Sequence, residues 1–264
     1  MASLASVQSS TEMPARHRVD VLGVPVDRLT VADLHHRILR FVRDGRKATI
    51  LHANVHAINL AHRHARFANA LRAADIVLCD GFGVMLGARL LRQNLPGRIT
   101  YAEWTWQLAA FCEREGLSMY FLGARPGIAA AAAGKLVARF PTLRIAGTRD
   151  GYFDKTPGGS EDAAVIAAVN DTRPDIVLVG FGMPVQEEWV SRHRDRIDAH
   201  VVLTVGAAFD YVSGTQRRPP QWMTSRGLEW LGRLAIEPRR LAARYLLGNP
   251  LFIYRVVRQR VRGG

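Results

Sequence analysis

Cysteine is scarce in this chain: Cys79 and Cys112 are the only two among 264 residues. Two thiols make no disulfide framework, and a reducing compartment is the economical setting. Long apolar runs are also missing. None reaches the ~18 residues of a membrane span, and the N-terminus has no signal-peptide core. Several familiar signatures are absent. There is no Gly-x-Gly-x-x-Gly, so a dinucleotide fingerprint is unsupported. There is no Gly-x-x-x-x-Gly-Lys-Ser/Thr, which weakens an NTPase reading. No Asp-x-Asp pair is present to hold a divalent metal on a diphosphate. The nine histidines are scattered, and His35-His36 lack a Cys or carboxylate at a ligand spacing, so no metal site is expected.

What is present suits one generous domain, or one domain with an appendage. Apolar residues make up 48% of the chain, enough for a sizeable core. Residues 1–16 read as a disordered tail and residues 17–213 as the main domain. The net charge of +13 is unevenly placed: residues 214–264 carry eleven arginines against Glu229 and Glu237, or +9. Such a segment calls for a polyanion, whether nucleic acid, anionic lipid or a phosphorylated substrate.

Apolar β-rich runs alternate with helical ones. "RVDVLGVPVD" predicts an initial strand or hairpin, and "TVADLHHRILRFVRDG" a helix closed by Gly45. "ATILHAN" predicts a strand, and "VHAINLAHRHARFANALRAA" a single helix. "DIVLC", "SMYFLGA", "DIVLVGF" and "VVLTVGAAFD" predict further strands, "LRIAGTRDGYF" a strand plus loop, and an Ala-rich helix is expected to reach about Phe140. Near-continuous apolar strands suit a parallel sheet covered on both faces, and the alternation implies a doubly wound α/β domain. After Pro219-Pro220 the pattern changes to helices with an apolar face and interspersed arginines. Pro238 is expected to start or kink one helix, and Gly248-Asn249-Pro250 to separate another.

Ligands of open α/β sheets bind beyond the carboxyl ends of the strands. Those ends carry His52-Ala53-Asn54, Asp80-Gly81-Phe82-Gly83, Gly123-Ala124-Arg125-Pro126-Gly127, Asp150-Gly151-Tyr152-Phe153, Gly180 to Gln186, and Gly206 to Asp210. Five of these six are glycine-rich, which allows close backbone approach to a nucleotide or sugar phosphate. Asp80 is placed to meet a ligand as a general base, or else to cap the next helix. Arg98, after Pro96-Gly97, is a candidate for neutralising phosphate charge without a metal.

The segments "ADIVLCDGFGV", "RITYAEW", "FLGARPG", "GTRDGYF", "DIVLVGFGMPVQEEWV", "VGAAFDYVSGTQRRPPQWM" and "GLEWLGRLAIEPRRLAARYLLGNPLF" together resemble the WecG/TagA/CpsF glycosyltransferase family. The likeness runs from about residue 20 to about residue 253. It implies a Rossmann-like, mostly parallel sheet with helices on both faces, and a helical, basic C-terminal appendage over residues 214–264 that targets the membrane and closes the site. It also implies an inverting, metal-independent transfer from a UDP-sugar to a polyprenyl-diphosphate-linked sugar, with no cofactor, on the cytoplasmic face of the bacterial membrane. Family members build teichoic acid linkage units, enterobacterial common antigen and exopolysaccharides.

On the matching motifs Asp80 falls on the proposed base, and Arg98 and Gln186 on active-site positions. Asn54, Tyr152 and Asp210 fall near nucleotide or sugar. His52, Gly123, Gly180 and Gly182 complete the expected substrate contacts, with Arg233, Arg240 or Arg244 of the tail reaching the leaving diphosphate. Gln186 is expected to present its amide to the sugar or phosphate. One departure is His52, where the family often has Thr. The donor sugar does not carry over, and homo-oligomerisation is left open. Two rivals differ in class. A basic nucleic-acid-binding α/β protein would use the tail and have no need of Asp80, whereas the family implies no nucleic-acid partner. A nucleotide-dependent oxidoreductase would need the missing fingerprint.

Overall fold

The computed structural model describes residues 17–262. The tail expected over residues 1–16 lies outside them. The chain opens with a hairpin of β1 (Arg18–Val21) and β2 (Val24–Asp27), then α1 (Val31–Arg43). Next come β3 (Ala48–Ala53), α2 (Val55–Ala61), α3 (Ala65–Ala73), β4 (Ile76–Cys79), α4 (Phe82–Leu90), α5 (Tyr101–Glu115) and β5 (Ser118–Gly123). They are followed by α6 (Ile128–Arg139), β6 (Arg144–Arg149), α7 (Ser160–Asp171), β7 (Ile176–Gly180), α8 (Val185–His193), β8 (Val201–Thr204) and α9 (Ala208–Ser213). The C-terminal segment holds α10 (Gln221–Ser225), α11 (Glu229–Ile236), α12 (Pro238–Ala242), a π-helical turn (Ala243–Leu247) and α13 (Gly248–Arg262).

Strands β3 to β8 form one six-stranded sheet in the order β4-β3-β8-β7-β5-β6, every pairing parallel. This is the expected doubly wound, Rossmann-like arrangement. Strand alternation divides the core. Ile176 and Leu178 of β7 face a cluster with Phe41 of α1, Trp104 and Leu108 of α5, and Phe209 of α9. Val177 and Val179 face Trp189 and Val190 of α8 on the other side. The remaining cluster joins the hairpin, α2, α3 and α4 to Phe252 and Val256 of α13. The hairpin is pinned beside β4: buried Asp27 accepts from the Val77 amide at 2.8 Å and pairs with Arg18 at 3.1 Å. Arg18 also donates to the Ala74 and Asp75 carbonyls.

Three boundaries differ from expectation. The single helix predicted over residues 55–74 is two, broken at His62–His64. Helix α2 docks on α13 while α3 packs on α8 and β2, and one straight rod cannot face both. "VVLTVGAAFD" is a strand only to Thr204, and its end turns into α9. Gly248-Asn249-Pro250 separates nothing. The backbone stays helical from Pro238 to Arg262, with the π-helical turn just ahead of Pro250. Proline has no N–H and its ring crowds the preceding turn, and widening that turn accommodates both.

Candidate active site

Three cavities follow the carboxyl edge of the sheet. The largest, about 1250 Å³, lies over β5 to β8 and is lined by Arg125, Tyr152, Lys155, Gly182, Asp210 and Arg240, among others. A middle one of about 250 Å³ holds His52, Asp80, Tyr101, Tyr211, Arg233 and Arg244. The third, about 320 Å³, shares Asp80, Arg233 and Arg244 with the middle cavity. The C-terminal segment walls all three.

Asp80 follows β4, and its backbone N–H donates to Ala53 O at 2.9 Å. Its carboxylate does not cap α4. The cap residue is Gly81, which makes no side-chain cap bond. The nearest cation-capable partner is the ring of His52, with Nε2 3.9 Å from Oδ2 and side-chain exposures of 5% for His52 and 20% for Asp80. That is too long for a hydrogen bond. His52 Nδ1 lies 3.2 Å from the Thr204 carbonyl oxygen and 3.3 Å from the Thr204 hydroxyl. Burial lowers the His52 pKa, against the opposing pull of Asp80. Burial thus favours the neutral ring beside the Asp80 carboxylate.

Around this pair lie polar groups without partners. The Tyr101 and Tyr211 hydroxyls and the Nε atoms of Arg233 and Arg244 are buried and unbonded. Neither guanidinium forms an ion pair among the described residues. Each lies over a tyrosine ring instead, Arg233 over Tyr211 at 5.7 Å and Arg244 over Tyr245 at 5.6 Å. An orphaned buried polar group costs about 1–3 kcal/mol. Several around one carboxylate mark a place where a polar, anionic ligand belongs. Burial, then the nearby Asp80, pushes the Tyr101 hydroxyl pKa well up. Among the described residues, no group of three His, Cys, Asp or Glu side chains is placed to hold a metal ion.

The other expected residues are placed variously. Asn54 lines both Asp80 cavities but spends its side-chain oxygen capping α2, on the Ala57 amide at 3.0 Å. Arg98 lines the third cavity and clamps the C-terminal segment, bonding Glu229 at 3.0 Å and the Thr224 carbonyl at 2.8 Å. Gln186 does not present its amide to a ligand. Its side chain is fully buried, Oε1 accepts from the Gly182 and Gly206 amides at 3.1 Å each, and Nε2 donates to Glu187 at 2.6 Å. It holds two ligand-facing loops in register. Gly180 and Gly182 line the large cavity, whereas Gly123 lies outside its lining. A Cβ on Gly123 would meet the Gly180 carbonyl oxygen at 2.4 Å, so close backbone packing is what this position requires. Tyr152 is 71% exposed at the rim, Asp210 is part-buried, and Arg240 pairs with Glu237 while lining the large and middle cavities.

Sequence reading did not single out Tyr101, Tyr211, His56, Lys155 or Glu187. Tyr101 lies in "RITYAEW" and Glu187 in "GFGMPVQEEW", and neither block has a local pattern that marks which of its side chains point inward. Lys155 bonds the Phe153 carbonyl and stands 4.0 Å from the Phe153 ring centroid. Burial lowers its pKa, against Asp150. Burial raises the Glu187 carboxyl to about 7. His56, beside Asn54 in both Asp80 cavities, is lowered by burial to about 4.

The carboxyl edge of this Rossmann-like sheet thus carries a carboxylate and two arginines that form no ion pair among the described residues. The chain belongs to the glycosyl transferase WecG/TagA/CpsF family, whose model matches residues 19–264, and it is a glycosyltransferase. It is 28% identical over 243 residues to an N-acetylglucosaminyldiphosphoundecaprenol N-acetyl-beta-D-mannosaminyltransferase of Staphylococcus aureus strain MRSA252, covering 91% of this chain and 92% of that protein. The same-named protein of strain NCTC 8325 / PS 47 matches equally, and that of strain MW2 is 27% identical over the same coverage. No helix among the described residues is long and apolar enough to cross a membrane.

Proposed function

We propose that this enzyme moves a sugar from a UDP-sugar to a sugar carried on a polyprenyl diphosphate, with inversion and without a divalent metal. The observation that carries this reading is the ring of buried, unpartnered Tyr101, Tyr211, Arg233 and Arg244 groups around Asp80. The names of the relatives support the lipid-linked acceptor. The donor occupies the large cavity with its nucleotide near Tyr152 and Asp210, and places its anomeric carbon over the middle cavity. Asp80 accepts the proton of the acceptor hydroxyl, and His52 fixes the carboxylate's neighbourhood. The freed oxygen pair forms the new bond to the anomeric carbon. The bond to the β-phosphate oxygen breaks on the opposite face and its electrons leave with UDP. Arg233, Arg240 and Arg244 offset the charge that grows there, a role arginine fills through fixed, always-charged donors. The C-terminal segment closes the site against water, which limits wasteful donor hydrolysis. It also holds the enzyme on the cytoplasmic face of the membrane as a peripheral protein.

The test is Asp80→Asn assayed with a UDP-sugar panel, with and without EDTA. Transfer falls by about 10²–10⁴-fold, the range of general-base effects, while folding and UDP binding persist. Wild-type transfer continues in EDTA. Near-normal turnover of the variant removes Asp80 from the base role. Loss in EDTA restored by Mg²⁺ or Mn²⁺ refutes metal independence.

A further inference from the structure

The 320 Å³ cavity differs in chemistry from the other two. The residues it shares with the middle cavity are polar: Asn54, His56, Asp80, Glu229, Arg233 and Arg244. The residues it does not share are mainly apolar, with Val55, Phe82, Leu86, Trp230, Phe252 and Ile253 supplying most of that wall. It is a slot between body and C-terminal segment, polar where it meets Asp80 and greasy beyond. A UDP-sugar has no apolar portion to cover such a wall. An amphiphile whose charged head must reach Asp80 does.

We propose that this slot receives the first isoprene units of the acceptor's lipid chain. The acceptor's sugar then enters through the polar wall that this slot shares with the middle cavity, where Asp80 meets its hydroxyl. The inference rests on the function proposed above and adds where the acceptor's lipid goes. The volume stands near the lower end of the ~300–1,000 Å³ range of small-molecule pockets, so it takes a few isoprene units and not a whole polyprenyl chain. The remainder has a route outward. Phe82, Leu86 and Leu90 recur every four residues on α4, and are 47%, 40% and 40% exposed. Residues at that spacing share one helix face. Helix α13 packs against α4 and exposes Tyr254, Val257 and Val261 at spacings of three and four. An apolar slot that opens beside two exposed apolar stripes is suited to a chain passing between protein and bilayer.

The experiment compares two soluble acceptors with the same sugar diphosphate, one bearing an ethyl group and one bearing three isoprene units. The full-length enzyme is assayed without detergent and below any micelle threshold. The wild-type KM is lower for the isoprenoid by about 10-fold or more, given the ~0.8 kcal/mol gained per buried methylene. Leu86→Trp fills the slot from a half-exposed position and collapses the KM ratio toward one. Ile253→Trp does the same from the opposite wall, and serves if the first variant does not fold. A wild-type ratio near one overturns the proposal, as does a ratio kept in both variants. A preference seen only when liposomes are added assigns the slot to bilayer lipid and overturns it too. Glycosylation of neither acceptor, with UDP-sugar still bound, refutes the proposed function itself.

Discussion

Every residue of β4, β5, β7 and β8 is buried, whereas the fifteen-residue α13 buries only Phe252 and Val256. The contrast holds across the two regions. In the sheet region, Asp27, Asp162 and Glu187 each keep a bonded partner, with Asp162 accepting from Trp189 at 2.6 Å and facing His193 at 3.0 Å, although one oxygen of each carboxylate makes no hydrogen bond. In the C-terminal segment, Trp222, Leu246, Leu247, Tyr254 and Val261 are more than half exposed, and two arginines stand unpaired. Strands β4, β5, β7 and β8 bury their apolar surface, and the exposed apolar groups of the sheet region lie on its helices and loops, Phe82, Leu86 and Leu90 of α4 among them. The C-terminal segment holds apolar and cationic surface in reserve, the combination that suits an anionic lipid interface. The seam joining them is built for close approach. A Cβ on Gly87 of α4 would lie 2.5 Å from Phe252 Cζ of α13.

Truncation after Ser213 separates the two regions and is expected to have the largest effect. It removes Arg233, Arg240 and Arg244 together, and single charge-stabilising donors are worth ~10²–10³-fold. Transfer is expected to fall by at least about 10³-fold and flotation with anionic liposomes to be lost, while circular dichroism reports a folded sheet. Retained flotation would move membrane binding into the sheet region. In the full-length enzyme, flotation declines as salt rises, since each engaged arginine contributes about 1 kcal/mol and is screened.

Glu187→Gln probes the sheet region alone. The buried Glu187 carboxyl has its pKa raised to about 7, so the folded state holds that proton more tightly than the unfolded state. Its stabilising contribution is full below the unfolded value near 4.5 and is lost as pH rises through about 7. The stability of Glu187→Gln relative to wild type therefore grows by about 3 kcal/mol between about pH 4 and pH 8, read from urea melts at each pH. A pH-independent difference would place the ionised form comfortably in the fold. Liposome flotation should not change.

Gly87→Ala is the smallest perturbation and acts on the seam. The added methyl meets Phe252 and costs about 1–3 kcal/mol as overpacking. Protease cleavage within α13 should quicken, with little change in the core melt. Unchanged protection of α13 would mean that Phe252 shifts aside at no cost.

The sheet was legible because fully buried parallel strands write themselves as unbroken apolar runs, as in "DIVLVG" and "VVLT". Helix α1 was legible as the run "TVADLHHRILRFVRDG" ahead of Gly45, and the structure shows its basis in the reciprocal capping box of Thr30 and Asp33 and the buried face of Leu34, Ile38 and Phe41. The division of the chain near Ser213 remains a proposal, motivated by the shift in charge. Side-chain direction was not legible. Gln186 reads as a ligand contact in "GFGMPVQEEW", yet its neighbours in space are Gly182 and Gly206, and only the packed loops turn it inward. Tyr211 and Tyr101 come together from segments 110 residues apart, so no local pattern signals that both line the space around Asp80. The break between α2 and α3 is likewise set by distant partners.

In the proposed reaction the sheet supplies the base and the C-terminal segment supplies the charge that completes the site. Arg244→Gln, assayed at saturating UDP-sugar with a water-soluble sugar-diphosphate acceptor, tests it most directly, because membrane binding then plays no part. The expected kcat is reduced by about 10²-fold, the low end for one charge-stabilising donor, with thermal unfolding and liposome flotation close to wild type. An unchanged kcat for this variant and for Arg233→Gln would contradict it, and would confine the chemistry to the sheet region.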